Sequence, residues 1–457
     1  MLAKLIQEIS ALWKLALPVS LAQLAIVGMT ATDVLIAGHA GTVELAGMNL
    51  GANAWNMVVF FFLGIGYATQ PLIGNHYGAR NESGLKHQLH QSIWTCFFSG
   101  IAAMLIVCLV WWAMGFLNFE TDMLTVARGF VLVISLAAIP IVLIPAVRGT
   151  LEGMSLTREV FLVNLVGFVL NIPLDYVLVN GYYGFPKLGG VGCAWATVAI
   201  VWIMLVANVL VLSRHSKLRR RRLFSDFESP HWPTVMSTLK LGVPIGVSIT
   251  LELSMFAGAG MLIASFGIVQ ASAHAVAITI ASMSFMLYLG IGQGITIRAS
   301  QFLGAQQRQA AWYTVRAGIS FNVFLSAIVM VCFLLYAQPL VKLFSDDNSV
   351  IQVAVILLYF GAAFQIVDCL QMSAISGLRA YQDTTSAPKY QFFAFWVLGM
   401  PLGIAWSFYH LWPGLEQARG MWMAMVVSLA AAGVLLLRVL LKVAKKNVDS
   451  PQIGSQV

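Results

Sequence analysis

A chain of 457 residues in which 59% are apolar and only 10% charged, with a mean hydropathy of +0.84, departs far from soluble domains, where about a quarter of residues are charged. This composition excludes a cytosolic enzyme, a disordered scaffold and a secreted disulfide framework, and it indicates an integral membrane protein. The 26 Lys and Arg against 18 Asp and Glu then bear on which loops face the cytoplasm rather than on nucleic acid.

Apolar runs of about 20 residues, bounded by charged or Gly/Pro-rich connectors, predict spans over 11–37, 44–76, 85–115, 125–147, 159–181, 189–213, 235–266, 270–302, 311–338, 349–377, 387–410 and 418–441. These twelve use up most of the chain and leave no soluble domain. The start, MLAKLIQEISALWKLALPVSLA, lacks a small-residue cleavage site behind a short apolar core, so a retained first helix is expected rather than a signal peptide. With both termini in the cytoplasm, 22 of the 26 Lys and Arg fall on the inner side, and only Arg128, Lys187, Lys342 and Arg419 on the outer. That is a strong positive-inside pattern. The run Arg219 to Arg222 in the connector 214–234 is expected to act as a topology anchor.

An offset of 226 residues places Lys14, Leu15 and Pro18 on Lys240, Leu241 and Pro244, LGIG at 63–66 on LGIG at 289–292, and Gly78-Ala79 on Gly304-Ala305; an offset of 228 pairs Pro173 with Pro401. The expected fold is an all-α integral membrane protein whose twelve transmembrane helices form two pseudo-symmetric six-helix bundles. The domains are an amino-terminal bundle 1–213, a basic cytoplasmic connector 214–234, a carboxy-terminal bundle 235–443 and a cytoplasmic tail 444–457. Six is even, so the repeats run parallel, an architecture suited to alternating access. Pro18, in the first span, is expected to let that helix bend.

Four acids fall inside the predicted spans: Asp33, Asp175, Glu252 and Asp368. A charge at the bilayer centre costs about 2.5 to 3.5 kcal/mol on insertion scales, and no Lys or Arg is expected deep enough to pair with them. Such residues usually carry protons or ions, or face a cationic ligand. Asn171 precedes Asp175 by four positions and shares its helical face, which groups Asp33, Asn171 and Asp175 in the first half; Glu252 and Asp368 form a pair in the second. The repeat does not duplicate these acids, since Asp33 falls on Ala259, Asp175 on Gly403, Glu252 on Ile26 and Asp368 on Pro140. Shared packing would have been shared by both halves. The eight histidines form no HExxH or paired ligand pattern and the five cysteines no CxxC, so no metal beyond a possible Na+ is expected. Without a phosphate-binding loop, ATP is not the expected energy source.

LALPVSLAQLAIVGMTATDVLIAGHAG at 15–41, EGMSLT at 152–157, LNIPLDYVLVNGYYGFPKLGGVGCAWAT at 170–197, LKLGVPIGVSITLELSMF at 239–256, FQIVDCLQMSAISGLRAYQD at 364–383 and VLGMPLG at 397–403 resemble, in order and spacing, the multidrug and toxic compound extrusion (MATE) family, most closely its bacterial NorM-like branch. The resemblance implies two bundles in a V around a central cavity, and export of organic cations in antiport with H+ or Na+. It implies that Asp33 couples to the cation, with Asn171 and Asp175 as its ion-site pair, and that Glu252 and Asp368 bind substrate or cation. NorM members often carry an amide where this chain has Asp175, which leaves the coupling ion open. No cofactor is expected. The expected partners are cationic or amphipathic drugs, the coupling ion and the lipid of a bacterial inner membrane, and the chain is expected to act as a monomer. A flippase of a lipid-linked or polyisoprenoid substrate is the alternative, though its cavity should be basic; a membrane-embedded enzyme is disfavoured because no catalytic constellation is present.

Overall fold

The computed structural model describes residues 2–116, 120–216, 218, 221, 223–409 and 411–449. Of the expected basic anchor only Arg221 falls among them; Arg219, Arg220 and Arg222, and 450–457 of the expected tail, lie outside the described residues. Twelve helices are long and apolar enough to cross a membrane: α1 (Ala3–Ala40), α2 (Thr42–Gly78), α3 (Glu82–Met114), α4 (Thr121–Gly153), α5 (Thr157–Asn180), α6 (Gly190–Arg214), α7 (Trp232–Ala264), α8 (Ile268–Gly304), α9 (Arg308–Lys342), α10 (Asn348–Ala380), α11 (Ser386–Tyr409) and α12 (Ala418–Asp449). No strand occurs among the described residues, as a lipid environment demands of segments that must satisfy every backbone group internally. The ends run further than the apolar pattern indicated, α1 starting at Ala3 rather than 11 and α12 continuing to Asp449 rather than 441. A helix does not stop where its side chains become polar, because its hydrogen bonds continue into water.

Four spans are irregular inside, among them α9, which kinks at Tyr336 (φ -118, ψ 19). Helix α2 is interrupted between Thr42–Gly66 and Thr69–Gly78, and α4 tightens to a 3-10 turn at Ser135–Ala137. Helix α11 widens to π turns over Phe393–Gly399, where the N–H of Met400 reaches back five residues to Phe395 O. Pro401 follows and has no N–H to give, so the ladder loosens there.

By their contacts the helices form two compact units: an amino-terminal unit, Leu21–Val247, and a carboxy-terminal unit, Met1–Ser20 with Ser248–Val457. The divisions fall inside α1 and α7, just after Pro18 and Pro244, and not in the connector. Glycines explain why. In the amino-terminal unit a Cβ on Gly64 of α2 would collide with the Gly246 backbone, and one on Gly242 would lie 2.6 Å from Ile65 O. The first half of α7 therefore crosses α2 backbone to backbone, the close approach that a small-xxx-small pair permits. In the carboxy-terminal unit the repeat-related Gly290 of α8 takes the first half of α1 in the same way, a Cβ there lying 2.8 Å from Ala16 O and colliding with Ser20 Oγ.

The repeat extends to turn chemistry. Helices α2 and α8 both end on a residue in the left-handed region, Arg80 (φ 53) and Gln306 (φ 60), and α4 and α10 do the same at Ser155 (φ 66) and Gln382 (φ 61). Each closes with the paired backbone bonds of a Schellman turn: Asn81 N to His76 O and Arg80 N to Tyr77 O, for example, against Gln307 N to Phe302 O and Gln306 N to Leu303 O.

Two ion pairs fix the helices that share a unit. In the carboxy-terminal unit Glu8 of α1 accepts from Nη2 of Arg298 on α8 at 2.8 Å and from Thr314 Oγ1 on α9 at 2.6 Å. In the amino-terminal unit Arg148 of α4 gives Nε to Glu152 Oε1 at 2.6 Å and Nη2 to Gln23 of α1 at 3.1 Å, while Gln70 of α2 donates to Glu152 Oε2 at 2.8 Å. The connector is clasped against α3 within that unit. His90 bonds Leu223 O at 2.7 Å, Trp94 donates to Glu228 O at 2.9 Å and Gln91 to Ser229 O at 3.1 Å.

Two consequences are measurable. Gly246→Val should overpack the α2 crossing and cost about 1 to 3 kcal/mol, read as a lower melting temperature in detergent; an unchanged melt would contradict the backbone contact. Arg148→Met leaves Glu152 buried without its cation and should cost about 3 to 5 kcal/mol, most of it recovered in the Arg148→Met, Glu152→Met double variant.

Candidate functional site

In the amino-terminal unit α1 brings Asp33 to the face of α5 that carries Asn171 and Asp175, one turn apart. Pro173 stands between those two and withholds an N–H from the helix ladder. Asp175 is 0% and Asn171 1% exposed, and Asp33 is partly buried. The Asp33 carboxyl and the Asp175 and Asn171 side chains act on one another, and Thr197 on α6 donates to Asp33 Oδ2 at 3.5 Å. Cys193, one turn before Thr197, directs its thiol to the Asp33 backbone oxygen at 3.7 Å.

Donors run short at this cluster. Asp33 Oδ1, Asn171 Oδ1 and both oxygens of Asp175 are buried and receive no hydrogen bond. Two ionised carboxylates can only accept, so they approach one another at low cost when they share a proton or a small cation lies between them. The donor set is oxygen from carboxylate, amide and hydroxyl, which fits a proton or a hard monovalent cation. Among the described residues no three His, Cys, Asp or Glu side chains converge on a metal position.

In the carboxy-terminal unit Glu252 of α7 and Asp368 of α10 act on each other electrostatically. Asp368 is 3% exposed and Glu252 partly buried. Gln391 of α11 donates to Glu252 Oε2 at 3.4 Å and accepts a short bond from the Ser248 hydroxyl. The expectation that no Lys or Arg comes near the span acids needs correction here, because Arg379 of α10 attracts Glu252. Its position in the last turn of α10 reads in sequence as a loop-facing charge, yet a long side chain can lay its apolar stem along the helix and carry its charge some way from its own Cα. Phe256 lies one turn from Glu252 and Phe364 one turn from Asp368, their ring centroids 6.0 Å apart. Acids beside aromatic faces suit an organic cation, which gains from both charge and ring quadrupole.

The structure thus brings Asp33, Asn171 and Asp175 together in one unit and Glu252 and Asp368 together in the other. Pro18 sits inside helical backbone that continues on both sides and belongs to neither cluster. Sequence reasoning missed Thr197, Gln391 and Arg379. The first two carried a signal, each a polar residue within an apolar span.

The MatE family pattern matches residues 18–177 and 244–405, more than half of the chain. The multidrug resistance protein NorM of Vibrio vulnificus strain YJ016 is 29% identical over 430 residues, covering 94% of both chains. NorM of Vibrio cholerae serotype O1 is 28% identical over 432 residues, again 94% of both. The multidrug resistance protein PmpM of Pseudomonas aeruginosa is 29% identical, over 94% of this chain and 90% of its own. In fold the chain is similar to the eukaryotic MATE transporter AtDTX14, with a TM-score of 0.85 at 18% identity over 97% of this chain and 98% of that one. It is also similar to an outward-facing multidrug resistance MATE family transporter of the MOP superfamily, with a TM-score of 0.86 at 17% identity over 96% of each. The chain belongs to the MatE family and is a membrane transporter, not an enzyme.

Proposed function

We propose that the chain is a secondary active multidrug efflux transporter of a bacterial inner membrane, a monomer with both termini cytoplasmic, that expels organic cations in exchange for H+ or Na+. The multidrug resistance assigned by name to the NorM and PmpM relatives supports the multidrug reading, and the distribution of Lys and Arg supports the orientation. The observation that carries the coupling is the set of buried oxygens without donors at Asp33, Asn171 and Asp175. A proton or Na+ taken up there removes the repulsion between two carboxylates and changes which packing of α1 against α5 and α6 is favoured. The drug cation is held at Glu252 and Asp368 in the other unit, with Phe256 and Phe364 beside it.

Coupling of the two events is a population shift, and its size is limited by the difference in ion affinity between the two conformations. One-for-one exchange of monovalent cations moves no net charge, so the membrane potential contributes nothing and only the ion's own gradient drives export. Two ions per drug bring one net charge inward and gain about 2.3 kcal/mol per 100 mV, enough for roughly a fortyfold drug gradient.

Dye efflux from proteoliposomes, with a sodium gradient and a pH gradient imposed separately, tests this reading. One gradient should drive export, and Asp33→Asn should reduce driven efflux to the level of empty vesicles while dye binding at equilibrium persists. Undiminished driven efflux in Asp33→Asn would take this residue out of the coupling mechanism.

A further inference from the structure

His274, near the start of α8, is a buried titratable side chain that the proposed cycle leaves unused. It is 9% exposed, and Trp422 of α12 donates its indole N–H to His274 Nδ1 at 3.1 Å. An indole nitrogen can only donate. Nδ1 must therefore present its lone pair, which places the ring proton on Nε2. At the Nε2 edge stands Gly260 of α7, where a Cβ would come within 3.3 Å of that nitrogen. The glycine gives the imidazole its room.

Trp422 is fully buried, and its ring lies against α10 at Gly361, where a Cβ would meet it at 3.4 Å. It faces Phe364 with ring centroids 6.3 Å apart, and Phe364 in turn faces Phe256 at 6.0 Å. Phe256 and Phe364 are the rings one helical turn from Glu252 and Asp368. An apolar residue of similar size would fill the position of His274, but only an acceptor aimed at the indole N–H fixes the plane of Trp422, and with it the two phenylalanines that follow.

We propose that His274 is a positioning residue for drug selectivity: its Nδ1 lone pair orients Trp422, and Trp422, through the buried Phe364, holds the partly exposed ring of Phe256 as an aromatic surface that favours planar aromatic cations over aliphatic ammonium ions of equal charge. The inference rests on the reading that Glu252 and Asp368 hold the drug cation. Ring stacking acts only on flat aromatic ligands, whereas the attraction of the acids acts on any cation. Disturbing that surface therefore separates the two classes of substrate.

The test uses the full chain in proteoliposomes, with ethidium and tetraethylammonium as the two cations under one fixed ion gradient. His274→Leu keeps the approximate volume and removes the acceptor. It should raise KM for ethidium about fivefold, leave kcat within about twofold, and leave KM for tetraethylammonium unchanged. His274→Asn puts an amide oxygen where Nδ1 stands and should restore ethidium KM to within about twofold of the original. Trp422→Phe removes the same bond from the donor side and should reproduce the His274→Leu shift, which keeps the test decisive should the leucine variant fail to fold. An unchanged ratio of ethidium to tetraethylammonium kcat/KM in His274→Leu or Trp422→Phe overturns the inference, as does an asparagine variant no better than leucine. Glu252→Gln separates this failure from the other one: if it leaves both KM values unchanged, the assignment of the acids fails and the inference loses its footing, whereas raised KM values for both cations alongside silent His274 variants overturn the inference alone.

Discussion

A carboxylate held away from water must be given a donor, a cation or a proton, because its charge has nowhere else to be compensated. In the amino-terminal unit the two carboxylates have the Thr197 hydroxyl at Asp33 Oδ2 and the Asn171 amide beside them, yet Asp33 Oδ1, Asn171 Oδ1 and both oxygens of Asp175 receive no hydrogen bond. In the proposed cycle a mobile positive charge relieves that shortage and can leave again. The cluster therefore has two states of different energy with the same covalent structure, and that difference is the quantity an antiporter converts into work.

Other acids of the spanning helices show that the fold can compensate a carboxylate permanently. Glu8 has Arg298 and Thr314, and Glu152 has Arg148 and Gln70, all at hydrogen-bond distance. Removing one member of such a set is costly, while the set as a whole adds little net stability, so its value lies in fixing which helices lie together. Glu252 is intermediate, drawn by Arg379 and bonded by Gln391, yet pushed by Asp368. In the proposed cycle a partly compensated pair of this kind holds an organic cation less tightly than two bare acids would, which favours release.

Most of the fold was legible in the sequence because a bilayer leaves few choices: an apolar run of sufficient length has to be a helix. Asp33, Asn171 and Asp175 were legible for the same reason, as polar groups where none is tolerated without cause. What escaped notice depended on reach and crossing. Arg379 lies at a helix end in sequence and near Glu252 in space, and no periodicity encodes the path of a side chain. The division of α1 and α7 between units was equally hidden, because it follows from which glycine faces which backbone, and the connector 214–234 offered a more conspicuous boundary. The LGIG repeat at 63–66 and 289–292 held that information, with Gly64 and Gly290 as the residues that let a second helix come close.

The repeat also argues for what the clusters do. Turn residues, crossing glycines and the prolines of α1 and α7 are matched between the halves, down to left-handed φ values at Arg80 and Gln306. The span acids are not matched at all. A scaffold that preserves such backbone detail shares its framework between the halves, and the acids, which have no counterparts, are not part of that shared framework. In the proposed cycle ion coupling and drug binding are two different tasks divided between the two units: one keeps carboxylates short of hydrogen bonds, and the other sets its acids near aromatic rings. Pro18 and Pro244 stand just before the points where α1 and α7 pass from one unit to the other. A change of charge at Asp33, on the second part of α1, is thereby carried on a helix whose first part is held in the other unit by Glu8 and Arg298. In the proposed cycle α1 is one covalent route by which an ion at Asp33 bears on a drug held in the other unit, and α7, divided in the same way and carrying Glu252, is a second.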